Sequence, residues 1–163
     1  MERSMEASAT IPVAFARAQK VLLDDPGAVF SETHTVNERR ERRFRMDLGV
    51  DIGTGASVHH MVILQLGVPR SVQQRLELPL AWHPTGRGRL LPSFTGQLEA
   101  SESSAGTYLR LIGAYTVPLG VVGSFGDGLV GRWLAGRSLD ALVEGLARRL
   151  ESEVQLRLSS VGW

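Results

Sequence analysis

At 163 residues the chain has the length of one domain, and its 43 % apolar content is enough to bury a core and to argue against disorder. A formal net charge of +1 supplies no overall field for nucleic acid or anionic lipid, and the absence of cysteine excludes disulfides and thiolate chemistry. Residues 1–9 carry Glu2 and Glu6 and no apolar run, so they read as a disordered leader rather than a secretory signal. The weakly charged stretch from Arg110 to Asp127 is broken by Pro118 and several glycines and is too short to span a bilayer. The cytoplasm is the expected compartment, with no integral membrane association and no nucleic-acid partner.

Thr10 to Val13 reads as a short strand, with Pro12 marking its end or edge. Ala14, Phe15, Ala18, Val21 and Leu22 recur at helical spacing, and Pro26 stops that helix. Phe44, Met46, Leu48, Val50 and Ile52 alternate with Arg43, Arg45, Asp47 and Asp51, which is the clearest strand pattern in the chain. Gly53 to Ser57 reads as the turn, and Val58 to Val68 returns as a more apolar strand. Further strands are predicted at Val72–Trp82, Ser93–Ala100 and Thr107–Val117. Six strands at roughly ten-residue spacing joined by short turns imply an antiparallel meander.

The last predicted element is a long amphipathic helix over Ser124–Glu151. Ser124 and Asp127 have a spacing related to a capping box. Leu129, Val130, Trp133, Leu134, Leu142, Val143, Leu146 and Leu150 form its apolar stripe, opposite Arg132, Arg137, Asp140, Glu144 and Arg148. Glycines in its first half each cost about 1 kcal/mol against alanine, a cost that close approach of the helix to the sheet explains. The expected fold is therefore α+β, a curved antiparallel β-sheet gripping a long C-terminal α-helix, over 10–152 with a tail at 153–163.

That order of elements, and the segment Leu111-Ile112-Gly113-Ala114-Tyr115-Thr116-Val117-Pro118-Leu119-Gly120 running into the capped helix, resembles the helix-grip superfamily. It is also called START-like or SRPBCC and includes polyketide cyclase/aromatases, lipid-transfer domains and plant pathogenesis-related ligand binders. The resemblance implies two short helices after the first strand, of which Gly27–Thr33 would form the second. It also implies a seventh strand, which Glu32–Arg40 could supply, and a hydrophobic pocket between sheet and C-terminal helix.

Leu48-Gly49-Val50-Asp51-Ile52-Gly53-Thr54-Gly55 resembles the first phosphate loop of the actin and sugar-kinase superfamily. That superfamily needs a second phosphate loop and two domains, for which the chain is too short, and a glycine-rich hairpin turn accounts for the same residues. The glycines at 120, 123 and 126 lack the lysine of a P-loop and read as packing or hinge positions. His59 and His60, adjacent on a strand, point to opposite faces and cannot chelate one metal together. No metal or other cofactor is implied. Serines abound without a Gly-x-Ser-x-Gly elbow, so the sequence supports no hydrolase triad.

Three functional readings follow, in this order. The first is a binding protein for a hydrophobic or lipid-like small molecule. Its expected lining is Met46, Leu48, His60, Leu76, Leu78, Trp82, Phe94 and Tyr115 of the sheet, with Trp133 and Leu134 of the helix. His60 and the Tyr115 hydroxyl would orient the ligand. The second is a polyketide cyclase/aromatase-like or dehydratase-like enzyme using His60 or Tyr115 as proton donor or acceptor, against which the thin supply of inward polar groups weighs. The third is a homodimeric protein-interaction module using the basic run Arg39, Arg40, Arg42 and Arg43 or an exposed sheet edge.

Overall fold

The alternation along residues 42–51 is realised as an edge strand whose Phe44, Met46 and Leu48 are buried while Arg43 and Arg45 face solvent. In the computed structural model, residues 2–30, 42–51, 55, 57–85, 92–116 and 128–160 are described. The elements run β1 (Glu2–Ile11), α1 (Phe15–Asp24), α2 (Gly27–Phe30), β2 (Arg42–Asp51), β3 (Ser57–Leu66), β4 (Arg70–Val72), β5 (Arg75–Pro84), β6 (Ser93–Ser103), β7 (Gly106–Thr116) and α3 (Gly128–Ser160). The seven strands form one antiparallel sheet in the order β1-β7-β6-β5-β3-β2, with β4 paired to β5 beside this path.

The expected leader is corrected: residues 2–11 are a strand paired along its length with β7, from Glu2 opposite Thr116 to Ile11 opposite Thr107. Ala7 and Ile11 are buried on its inner face, and the Arg110 guanidinium holds the Glu6 carboxylate at 2.7 Å on the outer one. That hydrogen bond, and then the charge behind it, keeps the Glu6 carboxyl below its ordinary range. A lowered folded pKa makes the contribution present above the unfolded pKa and lost as pH falls through the folded one. Both groups are solvated, so the effect on global stability is small. Carbon-13 titration of Glu6 is therefore expected to show its midpoint move up in Arg110→Ala, and an unmoved midpoint would contradict the pairing.

The expected helix before Pro26 is α1, which buries Ala18, Val21 and Leu22. The second short helix is α2, where Val29 and Phe30 are buried and Phe30 stacks on Phe44 of β2 with centroids 6.4 Å apart. The 32–40 segment offered for a seventh strand lies outside the described residues. The extra strand within them is β4. It continues β3 across an irregular step, because the register shifts by one between Leu66 opposite Leu80 and Arg70 opposite Glu77. Gly67 sits at this step, donates its N–H to Pro79 O at 2.8 Å, and has no room for a Cβ beside the Pro79 ring. Val72, expected to open the strand at Val72–Trp82, instead ends β4 and is exposed, since Gln73 with φ of 55° turns the chain.

α3 approaches β1 and β7 on one side and β2 on the other. Since β1 and β2 are opposite ends of the sheet, one helix can meet both only if the sheet curves around it. The span between the central strands and the helix is left to side chains. Ala135, Leu139, Leu142, Val143, Leu146, Ala147, Leu150 and Val154 bury the inner face of α3. Each leucine among them contributes about 1.5–3 kcal/mol. Gly136 lets the helix come close to β1, where an added Cβ would stand 3.2 Å from Met5 Cε. The tail expected from residue 153 is corrected as well: the helix continues to Ser160, Val154 is fully buried, and Arg157 pairs with Asp25 at 3.0 Å and Glu153 at 2.7 Å. The capping residues at 124–127 lie outside the described residues. Among those described, no helix is long and apolar enough to cross a membrane.

Candidate functional site

The period of two along each strand sends one face of the sheet toward α3, and most of the expected lining lies there. Met46, Leu48, Leu76, Leu78, Trp82, Phe94 and Tyr115 are all buried, together with Leu64, Leu80, Leu98 and Leu111. Trp82 and Phe94 face each other across β5 and β6, their rings stacked at 4.4 Å, and Trp82 Nε1 donates to Pro92 O at 3.2 Å. Leu134 is partly buried against this cluster. His60 stands opposite Leu48 in the β2–β3 register, but its side chain lies outside the described residues.

Trp133 does not join the lining. It is 44 % exposed, on an outward groove with Met5, Gly136 and Arg137, whose guanidinium lies 5.8 Å from the centre of its ring. The helical period explains the correction. Trp133 precedes Leu142 by nine positions, which at about 100° per residue is half a turn from the buried stripe. It shares its face with Arg137, Asp140 and Glu144, all exposed.

Between β2 and α3 lies an open cleft of about 370 Å³. Met46, Leu48, Ala141 and Leu142 give it apolar walls, while Asp47, His59, Glu144, Arg148 and Arg149 supply polar ones. Arg149 also donates to Val29 O at 3.3 Å, tying α3 to α2 beside the opening. Gly145 lines the cleft on the helix side, with the nearest atom to an added Cβ, beyond its own helix backbone, at 4.0 Å.

On the outer face of the β2–β3 hairpin, three side chains are linked. Ser57 Oγ lies 2.9 Å from His59 Nε2, and His59 Nδ1 lies 3.1 Å from Asp47 Oδ2. Among the described residues the second Asp47 oxygen, Oδ1, is covered and has no hydrogen-bond partner. The pattern along β3 shows only that Ser57 and His59 share a face. The hairpin register, in which Gly49 stands opposite His59, is what brings Asp47 alongside. A turn centred on Thr54 would have implied that pairing. Among the described residues no cluster of three acidic or histidine side chains could hold a metal. The β2–β3 pairing runs to Asp51 opposite Ser57, and Gly55, the described residue between them, has φ of +75°. Of the basic run, Arg39 and Arg40 lie outside the described residues and Arg43 is exposed on β2.

No protein-family model matches the chain, and no curated protein matches it. Solved structures do resemble it. The di-domain ARO/CYC StfQ from the steffimycin biosynthetic pathway superposes with a TM-score of 0.59 at 16 % identity, covering 98 % of this chain and 52 % of StfQ. TTHA0849 from Thermus thermophilus gives 0.52 at 18 % identity, covering 94 % of this chain and 99 % of that one. Ara h 8.0201 gives 0.51 at 11 % identity, covering 96 % and 99 %. The chain has a helix-grip fold: a curved antiparallel sheet closed over a long C-terminal helix. At these identities the likeness is one of fold.

Proposed function

We propose that the chain binds a hydrophobic, lipid-like small molecule between the sheet and α3, reached through the cleft beside β2. The observation that carries this reading is the cleft itself, which leads from the surface to Met46 and Leu48, two members of the continuous apolar face beneath the helix. Apolar burial supplies the affinity in such a site, and the polar groups at its rim orient the ligand. Among the described residues the interior offers few groups for acid–base chemistry besides the Tyr115 hydroxyl: the buried polar side chains Thr107 and Ser138 are both spent on backbone carbonyls, Val13 O and Leu134 O, each at 2.8 Å. For this reason binding is placed ahead of the cyclase/aromatase reading that StfQ's description suggests.

Displacement of a fluorescent apolar probe tests the reading, with Gly145→Trp as the informative variant. An indole at position 145 projects into the cleft and leaves the buried face of α3 untouched, and a helix interior favours tryptophan over glycine. The expected result is a probe affinity weakened about tenfold or more, a loss of roughly 1.4 kcal/mol, with no fall in melting temperature. Unchanged affinity in a folded variant would place the ligand elsewhere.

A further inference from the structure

We propose that the β2–β3 hairpin carries a hydrolytic site for small acyl esters, with Ser57 as nucleophile, His59 as general base and Asp47 as the residue that positions the imidazole. The contacts fix the direction of proton flow. A carboxylate can only accept, so the nitrogen facing Asp47 Oδ2, His59 Nδ1 at 3.1 Å, is the one that carries the proton. In the neutral ring Nε2 then has a free lone pair, and it stands 2.9 Å from Ser57 Oγ. That is the tautomer and the contact a hydroxyl nucleophile needs for activation.

The backbone is arranged for this chain of contacts. Ser57 and His59 are two apart on β3 and share its outer face. His59 stands opposite Gly49, where an added Cβ would come within 3.1 Å of His59 Cε1 and 3.3 Å of Nδ1. Glycine at that position lets the ring lie across β2 toward Asp47. Among the described residues the covered Oδ1 of Asp47 has no hydrogen-bond partner, in a side chain that is otherwise 38 % exposed, an uncommon arrangement. His59, Asp47 and Gly49 also line the cleft, and Ser57 is exposed beside them on the outer face of the hairpin, open to a small ester from solvent.

In the first half-reaction Ser57 Oγ bonds to the ester carbonyl carbon while its proton passes to His59 Nε2. The bond from that carbon to the alkoxy oxygen breaks, and the imidazolium returns the proton to the departing alcohol. In the second, water adds to the acyl-Ser57 carbonyl as His59 takes its proton. The carbon–Oγ bond then breaks, Oγ recovers the proton, and a carboxylic acid leaves. Water is the only co-reactant, and nothing is oxidised or reduced. The site does not rest on the binding reading, because Ser57 and His59 are exposed on the outer face of β3 and need nothing bound between sheet and α3.

The test is hydrolysis of p-nitrophenyl butyrate by the full chain, with peptide mass spectrometry of the quenched protein. The expected result is a first-turnover burst of p-nitrophenol with the butyryl group on Ser57. Ser57→Ala should abolish the burst and slow turnover about 100-fold. Asp47→Asn should slow it at least about tenfold, because an amide can turn its NH₂ toward the ring and favour the wrong tautomer. Circular dichroism and apolar-probe displacement by Ser57→Ala should match the parent chain, which separates loss of chemistry from loss of fold or of the binding site. A rate that survives Ser57→Ala, or label found on His59 or on Lys20, overturns the proposal.

Discussion

Replacing Gly113 by valine is expected to destabilise the protein by roughly 3 kcal/mol, lowering the melting temperature by about 6–12 °C. Gly113 of β7 stands opposite Gly96 of β6 at the centre of the sheet. A Cβ on Gly113 would lie 2.4 Å from Thr95 O and 2.6 Å from the Gly96 Cα, both backbone atoms that cannot swing aside. Gly96 is equally closed, with Ile112 O at 2.2 Å from its added Cβ. The two strands come close here, and Phe94 lays its ring over both glycines, its Cζ at 2.8 and 2.6 Å from the two added positions. An aromatic ring covering a cross-strand glycine pair is a known way to bend a sheet and keep its face packed. Since α3 must meet both β1 and β2, this bend is a requirement of the fold. Urea unfolding of Gly113→Val measures the loss. A midpoint equal to the parent chain's would show that the sheet can take its curvature from elsewhere.

Trp82→Ala is expected to cost about 3–5 kcal/mol, the range for emptying a buried aromatic site. The indole is 2 % exposed, stacks on Phe94 at 4.4 Å and donates to Pro92 O, so its removal leaves a void and an unpaired carbonyl. Trp82→Phe keeps a ring to stack on Phe94 but loses the hydrogen bond and the volume of the second indole ring, so a smaller loss of about 1–3 kcal/mol is expected. Chemical denaturation of both variants reads the difference, and equal losses would mean that the hydrogen bond and the second ring dominate. If the ligand lies over this part of the sheet, Trp82→Ala at low temperature should also admit bulkier apolar probes than the parent chain does.

The elements read correctly in the sequence are those with one wet and one dry face. In β2 arginine and aspartate on the outer face left no ambiguity about Phe44, Met46 and Leu48, and the apolar spacing of α1 and of Leu142, Val143, Leu146 and Leu150 worked for the same reason. Of β1 only its end, within Thr10–Val13, was read, because its inner positions are Met5, Ala7, Ala9 and Ile11. The alternation is present, but alanine is a weak strand former, and the pairing that holds it comes from β7, some hundred residues away. The β4–β5 turn was missed because Gln73-Gln74 carries none of the asparagine or glycine that usually marks a φ > 0 turn. The inward positions of the strands were legible, because alternation fixes the face. Legibility failed at Trp133, where residue type outweighed helical angle. The Ser57–His59–Asp47 linkage was illegible to a search for short motifs, because it joins two strands through their register, and only the hairpin pairing puts aspartate beside imidazole.

Native mass spectrometry of the freshly purified chain, followed by denaturing extraction, tests the central claim most directly. A hydrophobic ligand held between sheet and α3 predicts a small-molecule adduct, or one formed on adding a fatty acid, that is lost on unfolding and weakened by Gly145→Trp. A bare mass under every condition, together with no displaceable apolar probe, would contradict it.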